Sequence, residues 1–311
     1  MADRPMPKNR TTDETFPTRY PIYIPSKGRH DEQQALTARF LIRDGVPFRV
    51  VVEPQEAEQY AALVGEERVL VLPFSNLGRG SIPARNWIME HSIAEGHERH
   101  WQLDDNIRDV RWMREGDRIP CNAALGLGAC EDFVDRYENV AVSGLNYQMF
   151  VTPSTSTPYF HNVHVYSCTL VMNSIPNRWR GRYNEDTDMC LQVLADGWCT
   201  ILLNAFCADK LPTMILSGGN SDELYAGDGR LAMARELERR WPGVVRVDRR
   251  YGRPQHVVDW KKFDTPLRRR PDYDEIVAEQ ARRRPRVKTR TGNIRSERLR
   301  AKAARWSEQD G

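Results

Sequence analysis

Short hydrophobic runs alternate with amphipathic segments through the first third of the chain. The runs at 19–29, 47–54 and 68–74 are predicted strands, because β-branched and aromatic residues are frequent in them and Pro or Gly bounds them. Segments 31–45 and 55–65 place apolar residues at helical spacing. The resulting β-α-β-α-β order predicts parallel strands with right-handed crossovers, and such sheets bind ligands beyond the carboxyl ends of their strands.

The same kind of pattern continues to Phe263, where the strand signals end. Helices are predicted at 81–96, at 185–197 and from about Arg230 to Trp241, and strands at 99–107, 139–146, 164–173 and 199–208. We therefore predict three regions: a flexible polar leader at 1–18, an α/β domain at 19–263 and a basic, partly helical tail at 264–311.

The composition argues against membrane and secreted classes. Hydrophobic residues make up 40% of the 311 residues, enough for a sizeable core, but no stretch approaches the roughly 18 to 20 apolar residues of a membrane span. The leader lacks the apolar segment of a secretory signal. None of the cysteines forms a C-x-x-C pair, which favours reduced thiols in the cytoplasm over zinc ligands or disulfides.

The net charge of +3 conceals an asymmetry between domain and tail. Residues 268–311 contain 14 Lys or Arg against 7 Asp or Glu, a balance of +7, and the remainder has 32 against 36, a balance of −4. Such a tail suits a polyanion such as nucleic acid, but a solvated helical tail that aids solubility has the same composition. The arginines that would contact DNA are Arg268, Arg269, Arg270, Arg282, Arg283 and Arg284.

An apolar run, 101–103, ends on two adjacent carboxylates, Asp104 and Asp105, which are followed by Asn106. A solvated turn would accommodate this pair. A cation held by both carboxylates would also offset their repulsion, and oxygen ligands of this kind suit Mg²⁺ or Mn²⁺. Because such ions complete their shell with substrate phosphates and water, a diphosphate would be the natural co-ligand.

Two further segments permit both a structural and a chemical interpretation. Glu185, Asp186 and Asp188 open an amphipathic helix, where acidic residues complement the helix dipole, or where one of them faces a cleft as a general base. In the segment 76–86, Arg79 and Arg85 stand beside glycines that permit close backbone approach. That segment is either a tight turn before a helix or a phosphate-binding loop.

The order of these segments resembles the GT-A nucleotide-sugar glycosyltransferases, especially the inverting family 2. "YIPSKGR", "WQLDDNI" and "YNEDTDMCLQVLADGW" are similar to the TET-associated glycosyltransferases of bacteriophages, which are associated with glycosylating hydroxymethylated pyrimidines in phage DNA. The resemblance covers about residues 19–263. It implies a GT-A (Rossmann-like) α/β fold, with a mixed, mainly parallel sheet flanked by helices.

The resemblance also implies roles for individual residues. It assigns nucleotide-sugar binding to Pro25, Ser26, Lys27, Arg29, Glu53, Arg79, Arg85 and Asp104. It assigns the metal to Asp105, Asn106 and His256, with His164 as a second histidine candidate. It assigns the catalytic base to Asp186, supported by Glu185. The metal motif departs from D-x-D because Asn106 replaces its last acidic residue, which indicates weaker or indirect metal binding.

The function implied is transfer of a sugar, with inversion, from a UDP-sugar to a hydroxymethylated pyrimidine in double-stranded DNA, with Mn²⁺ or Mg²⁺. Three alternatives remain at this stage. A sugar-phosphate nucleotidyltransferase would use a similar domain, and a glycosyltransferase could act on another acceptor. A non-enzymatic DNA-binding protein would use the tail alone, but it would leave Asp104, Asp105 and Asp186 without a role.

Overall fold

The computed structural model describes residues 18–155, 157–211, 229–250 and 252–283. Within them, ten strands form one sheet in the order β3-β2-β1-β4-β9-β7-β10-β5-β6, with β8 paired to β10, and two further strands form a hairpin. The strands of the sheet are β1 (Ile22–Pro25), β2 (Arg49–Val52), β3 (Val69–Val71), β4 (Arg99–Leu103), β5 (Ile107–Arg114), β6 (Asp117–Cys121), β7 (Val140–Tyr147), β8 (Tyr159–His161), β9 (Cys168–Met172) and β10 (Cys199–Lys210). The hairpin pairs β11 (Val245–Arg250) with β12 (Arg253–Val258).

Helices cover both faces of this sheet. They are α1 (Leu36–Asp44), α2 (Ala57–Val64), α3 (Ile82–Ala94), α4 (Ala123–Val134), α5 (Glu185–Ala195), α6 (Gly229–Arg240) and α7 (Tyr273–Arg283). Buried side chains of α1, α2 and α4 form one hydrophobic cluster with the sheet, and those of α3 and α5 form another. This three-layer arrangement buries the apolar stripe of each helix against the sheet.

The sheet is mixed and mainly parallel, as predicted. Strands β3, β2, β1 and β4 pair in parallel, and β7 pairs in parallel with β10. Antiparallel pairing reverses β9, β5 and β8, so seven of the ten strands point the same way. The carboxyl ends of β1, β2, β4, β7 and β10 therefore lie at one edge of the sheet.

The first helix begins later than its sequence pattern predicts. The Asp31 carboxylate accepts hydrogen bonds from the N–H groups of Gln33 and Gln34, at 2.8 and 2.9 Å, which closes a turn before the helix. Helix α1 then runs from Leu36 and ends at Gly45, whose φ of 69° places it in the left-handed conformation common after helices. Asp31 thus caps a turn and not the helix.

Part of the predicted tail packs on the domain. Arg268 accepts a hydrogen bond from Glu138 N–H at 2.9 Å, and Leu267 packs against the main core. On α7, Gln280 is 2% exposed and donates through Nε2 to Asp132 O at 2.8 Å. Residues 264–283 are therefore continuous with the folded body, and α7 supplies the helix expected in this region. Among the residues placed by the structure, no helix is both long and apolar enough to span a membrane.

Candidate active site

A cavity of about 360 Å³ opens at the carboxyl edge of the sheet. It collects most of the residues predicted from sequence: Pro25, Ser26, Lys27, Arg29, Glu53, Arg85, Asp104, Asp105, Asn106, Glu185, Asp186, His164 and His256 all line it. They meet because parallel strands bring their carboxyl ends to one edge, where the loops that follow them face each other.

Arg79 is the exception among the predicted nucleotide-sugar residues. It is exposed in the loop before α3 and does not line the cavity, whereas its neighbour Gly80 does. Gly78 and Gly80 have φ values of 63° and 61°, so the backbone turns sharply on both sides of Arg79. The backbone of this loop therefore reaches the cavity at Gly80, whereas Arg79 does not line it.

Asp105 is held by groups that follow β1. Ser26 Oγ donates to Asp105 Oδ2 at 2.7 Å, and the Arg29 guanidinium forms an ion pair with the same carboxylate. Tyr60, which the sequence analysis did not identify, supports both partners: its hydroxyl lies 2.6 Å from Ser26 Oγ and accepts from Arg29 N–H at 3.1 Å. Burial raises the pKa of Asp105, and it outweighs the opposing influence of Arg29 and Ser26.

Asp104 lies between two cations. Arg85 Nη2 donates to its Oδ1 at 2.8 Å, and Lys210 Nζ lies 3.0 Å from its Oδ2. Burial alone would raise the pKa of Asp104, but the charges of Lys210 and Arg85 outweigh burial and lower it. Asp104 is therefore ionised at neutral pH, and it orients Arg85, which also donates to Gln102 Oε1 at 3.2 Å.

Lys210 was not identified from sequence. Its Nζ also donates to Tyr147 Oη and Ser167 Oγ, both at 3.0 Å. Lys210 ends β10 far from the acidic pair in sequence, but antiparallel pairing with β5 places it opposite Ile107, next to Asn106. Leu211 N–H donates to Asn106 O at 3.1 Å and closes this junction. Only the sheet pairing reveals this contact, because Lys210 carries no local motif.

Glu53 joins two of the loops that border the cavity. Lys27 Nζ lies 3.1 Å from its Oε2, and Asn76 N–H donates to its Oε1 at 3.1 Å. Lys27 also donates to Asn76 Oδ1 at 3.1 Å, so the three residues form a closed polar triangle, to which Asn76 contributes its backbone N–H and its side chain. This triangle holds the segment that follows β1 against the loop before α3 and shapes one wall of the cavity.

The opposite wall begins with the first turn of α5. Asp186 Oδ2 lies 3.2 Å from His164 Nε2, and its Oδ1 accepts from Thr187 N–H at 2.7 Å. Burial would raise the pKa of Asp186, but His164 and the Thr187 hydrogen bond reverse the shift and leave the pKa below its ordinary value. Asp186 is therefore an ionised carboxylate whose side chain is still 36% exposed to the cavity.

Glu185 differs from its neighbour Asp186 in its environment. Ser81 Oγ donates to Glu185 Oε1 at 2.8 Å, and Arg85 Nε lies 3.8 Å from the same oxygen. Burial and the nearby charge of Asp186 raise the pKa of Glu185. Adjacent carboxyl groups whose pKa values move apart divide the acid and base roles at an active site. Of the two carboxyl groups, Asp186 is the one whose ionised form is favoured.

Asn184 sets the position of this pair. Its side chain makes no capping hydrogen bond to α5 and instead donates through Nδ2 to Met233 O on α6, at 3.0 Å. Its φ of 51° and ψ of 38° are left-handed, which is uncommon outside glycine but tolerated by Asn. The contact therefore connects α6 to the residue that precedes Glu185 and Asp186.

Comparison with known protein families identifies the family of this chain. The chain matches the model of the TET-associated glycosyltransferases over residues 20–219, more than half of its length. It belongs to that family. This TET-associated glycosyltransferase is therefore an enzyme that transfers a sugar, as its resemblance implied. No curated protein matches its sequence.

Among solved structures, the TET-associated glycosyltransferase is similar to a protein from Desulfovibrio desulfuricans G20 described as a nucleotide-diphospho-sugar transferase. The two share 9% sequence identity with a TM-score of 0.35. The match covers 59% of this chain and 79% of the other.

The glycosyltransferase cavity contains oxygen ligands of the kind that a divalent cation prefers. Asn106 is 7% exposed, and its buried Oδ1 has no hydrogen-bond partner within the described residues. The cavity is lined by four Lys or Arg and five Asp or Glu, so a diphosphate would add charge to a site that is already slightly anionic. Within the same residues, no cluster of three His, Cys, Asp or Glu could hold a metal by itself. These features fit a cation with few protein ligands, completed by phosphate and water.

The predicted DNA-binding arginines of the glycosyltransferase lie away from this cavity. Arg268 N–H donates to Asn139 Oδ1 at 2.8 Å, directly before the first residue of β7, whereas the last residue, Tyr147, lines the cavity. Asn139 and Tyr147 are eight residues apart along this extended segment, which corresponds to a distance of about 26 Å. Arg268, Arg269, Arg270, Arg282 and Arg283 are all exposed, and Arg284 lies outside the described residues.

Proposed function

We propose that this glycosyltransferase moves a sugar from a UDP-sugar to the hydroxymethyl group of a modified pyrimidine in phage DNA, with inversion at the anomeric carbon. The observation that carries the proposal is the ionised Asp186 carboxylate, which faces the same cavity as Ser26, Glu53 and Asp104. A sugar-phosphate nucleotidyltransferase is disfavoured, because the chain belongs to a glycosyltransferase family.

The donor would occupy the side of the cavity formed by the loops after β1 and β2. Lys27, Arg29 and Arg85 supply positive charge there, and Glu53 supplies a carboxylate acceptor for a base or ribose hydrogen bond. Arg29 and Arg85 are fixed by Asp105 and Asp104, so they require little reorganisation when a diphosphate binds. This arrangement supports a nucleoside diphosphate more strongly than an uncharged donor.

Asp186 would act on the acceptor. It takes the proton from the attacking hydroxyl while that oxygen forms a bond to the anomeric carbon and the bond from that carbon to the diphosphate breaks. UDP then leaves with the electron pair, and the new bond forms on the opposite face of the sugar. His164 holds Asp186 in its ionised form, and the raised pKa of Glu185 limits competing negative charge beside it.

A divalent cation would be held by Asn106, with His256 and Asp105 at the same cavity, and would neutralise charge on the departing diphosphate. Two cationic side chains would share in neutralising the diphosphate charge. Lys210 and Arg85 bracket Asp104, and both remain charged because the Asp104 carboxylate lies against them. Mn²⁺ and Mg²⁺ both suit an amide oxygen and a carboxylate.

The acceptor proposal rests on the family and on charge. The family is described as TET-associated glycosyltransferases, and the sequence of this chain contains a basic tail that suits a polyanion. Arginines about 26 Å from the cavity along β7 would reach phosphates on a duplex whose modified base lies at Asp186. A DNA acceptor also implies that the enzyme works in the cytoplasm of the infected cell.

The proposal is tested by incubating duplex DNA containing 5-hydroxymethylcytosine or 5-hydroxymethyluracil with a panel of UDP-sugars and Mn²⁺. Mass spectrometry of the digested nucleosides should show the added sugar, and NMR should show an inverted anomeric configuration. Asp186→Asn should reduce transfer by roughly 100-fold or more. Retained configuration would exclude Asp186 as the base, and the absence of any mass gain would exclude the acceptor.

A further inference from the structure

An exposed aromatic residue follows the strand that borders the cavity. Among the described residues, Phe150 is the most exposed large hydrophobic side chain at 58%, and its neighbour Met149 is exposed at 55%. Phe150 N–H donates to Tyr147 O at 2.9 Å, which closes a turn after β7, and Val151 is 1% exposed. The turn is therefore anchored on both sides, and it presents Phe150 and Met149 to solvent in a defined position.

Phe150 is the outer end of a chain of aromatic rings that leads into the cavity. Its ring lies 5.9 Å from that of Tyr147, at an interplanar angle of 22°, and 6.4 Å from that of Tyr166. Tyr166 in turn lies 4.8 Å from His164, the partner of Asp186. Tyr147 and His164 both line the cavity. These ring contacts therefore connect the exposed Phe150 to the cavity that contains the ionised Asp186 carboxylate.

We propose that Phe150, with Tyr147 and Tyr166, forms the stacking surface for the target pyrimidine after it leaves the DNA helix. This inference rests on the proposed DNA acceptor. Enzymes that modify a base within a duplex extrude it, and aromatic side chains then replace the lost stacking. Aromatic faces stack on bases of any sequence, so the surface supplies affinity while the hydroxymethyl group supplies selectivity.

The surroundings of Phe150 suit a polyanion. Arg118 on β6 is exposed, and its Nη1 donates to Gln148 O at 2.6 Å, two residues before Phe150. A guanidinium beside an aromatic platform binds the phosphate of the same or the neighbouring nucleotide. Since an apolar protein partner would gain nothing from Arg118 at this position, the charge favours a nucleotide as the occupant.

The test compares Phe150→Ala and Phe150→Trp with the wild-type enzyme. A matched control is Phe160→Ala, which removes an exposed aromatic ring on β8 that is 38% accessible and lies outside the aromatic chain. Steady-state transfer to hydroxymethylated duplex DNA gives the KM for the acceptor, and calorimetric titration with UDP reports an intact donor site. Phe150→Ala should raise the acceptor KM roughly ten-fold or more, with UDP affinity unchanged. Phe150→Trp and Phe160→Ala should resemble wild type.

Two results would overturn the stacking surface. An unchanged acceptor KM in Phe150→Ala would show that the ring does not contact the base. A loss of UDP affinity in that variant would show that Phe150 shapes the donor side instead. A different result, wild-type enzyme that binds UDP but modifies no hydroxymethylated DNA, would overturn the proposed acceptor itself, and the stacking surface would fall with it.

Discussion

His164 Nε2 lies 3.2 Å from Asp186 Oδ2, and this contact joins the segment before β9 to the first turn of α5. Among the contacts that lower the pKa of Asp186, this one has the largest effect. Together with the Thr187 hydrogen bond it outweighs burial, which alone would raise that pKa. Thr187 completes the arrangement, since its hydroxyl oxygen lies 3.2 Å from the same imidazole nitrogen. His164 therefore positions the Asp186 carboxylate and favours its ionised form.

We expect His164→Gln to shift the acid limb of the kcat/KM profile to higher pH. The sign follows from the pKa of Asp186, which His164 lowers; without His164, burial dominates and the pKa rises. In the variant, Asp186 would then be protonated over a pH range in which the same carboxyl group is ionised in the wild-type enzyme. A pH–rate profile for transfer to a small hydroxymethyl acceptor measures the shift. His97→Gln serves as control, because His97 is exposed and does not line the cavity; an unmoved limb in His164→Gln would contradict this role.

Replacing Lys210 with Met should weaken both stability and donor binding. The variant removes the cation from Asp104 Oδ2 and leaves Tyr147 and Ser167 without its donated hydrogen bonds. Arg85 still pairs with Asp104, so we expect a loss of about 2 kcal/mol in the free energy of unfolding. The pKa of Asp104 should rise, and the dissociation constant for UDP should increase. Urea denaturation and calorimetry measure both effects.

The control for Lys210→Met is Lys262→Met. Lys262 is exposed, and its Nζ donates to Gly243 O at 2.8 Å, away from the cavity. The Lys262→Met variant should unfold at the same urea concentration as wild type. Equal UDP affinity in Lys210→Met and wild type would mean that Lys210 has a structural role alone.

Asn106→Asp should increase the affinity of the UDP complex for Mn²⁺. Asn106 lines a cavity that lacks a cluster of metal ligands among the described residues, and its buried Oδ1 has no hydrogen-bond partner there. A carboxylate would add charge at that position. Electron paramagnetic resonance of Mn²⁺ in the presence of UDP measures the bound fraction directly. Asn122→Asp is the control, since Asp caps a helix as well as Asn and Asn122 caps α4 outside the cavity. Unchanged Mn²⁺ affinity in Asn106→Asp would place the cation elsewhere.

His100 and Glu131 should give opposite pH dependences of stability. Burial lowers the pKa of His100 from 6.5 to about 4, so the unfolded chain binds more protons and the fold loses stability as pH falls from 6.5 toward 4. Burial raises the pKa of Glu131 to about 7, so the fold instead loses stability as pH rises from 4.5 toward 7. Each shift corresponds to about 3 kcal/mol, and the two nearly cancel in the wild-type protein.

Single variants separate the two effects. His100→Gln should stabilise the protein at pH 5 relative to pH 8, compared with wild type, and Glu131→Gln should show the reverse trend. Urea denaturation at several pH values provides the free energies. Parallel curves for wild type and His100→Gln would show that folding leaves the pKa of His100 unchanged.

Much of the cavity wall at the carboxyl ends of β1, β2 and β4 was predictable from sequence. Hydrophobic runs followed by Ser26, Glu53 and Asp104 predict strands with polar residues at their ends, and parallel pairing must then bring those residues to one edge. These predictions succeeded because strand periodicity and crossover handedness are local rules with few alternatives.

The remainder depended on pairing between distant segments. Nothing local marks Lys210 as a neighbour of Asp104, and only the antiparallel register of β10 against β5 places it there. The same is true of His164, which meets Asp186 because the segment before β9 contacts α5, where Val165 N–H donates to Cys190 Sγ at 3.3 Å. It is also true of Phe150, whose exposure at a turn has no signature in its neighbours. The sequence by itself determined the α/β class and the polar ends of its strands. Tertiary structure decided which charges face each other, because the pKa of a buried group depends on the atoms that surround it and not on its position along the chain.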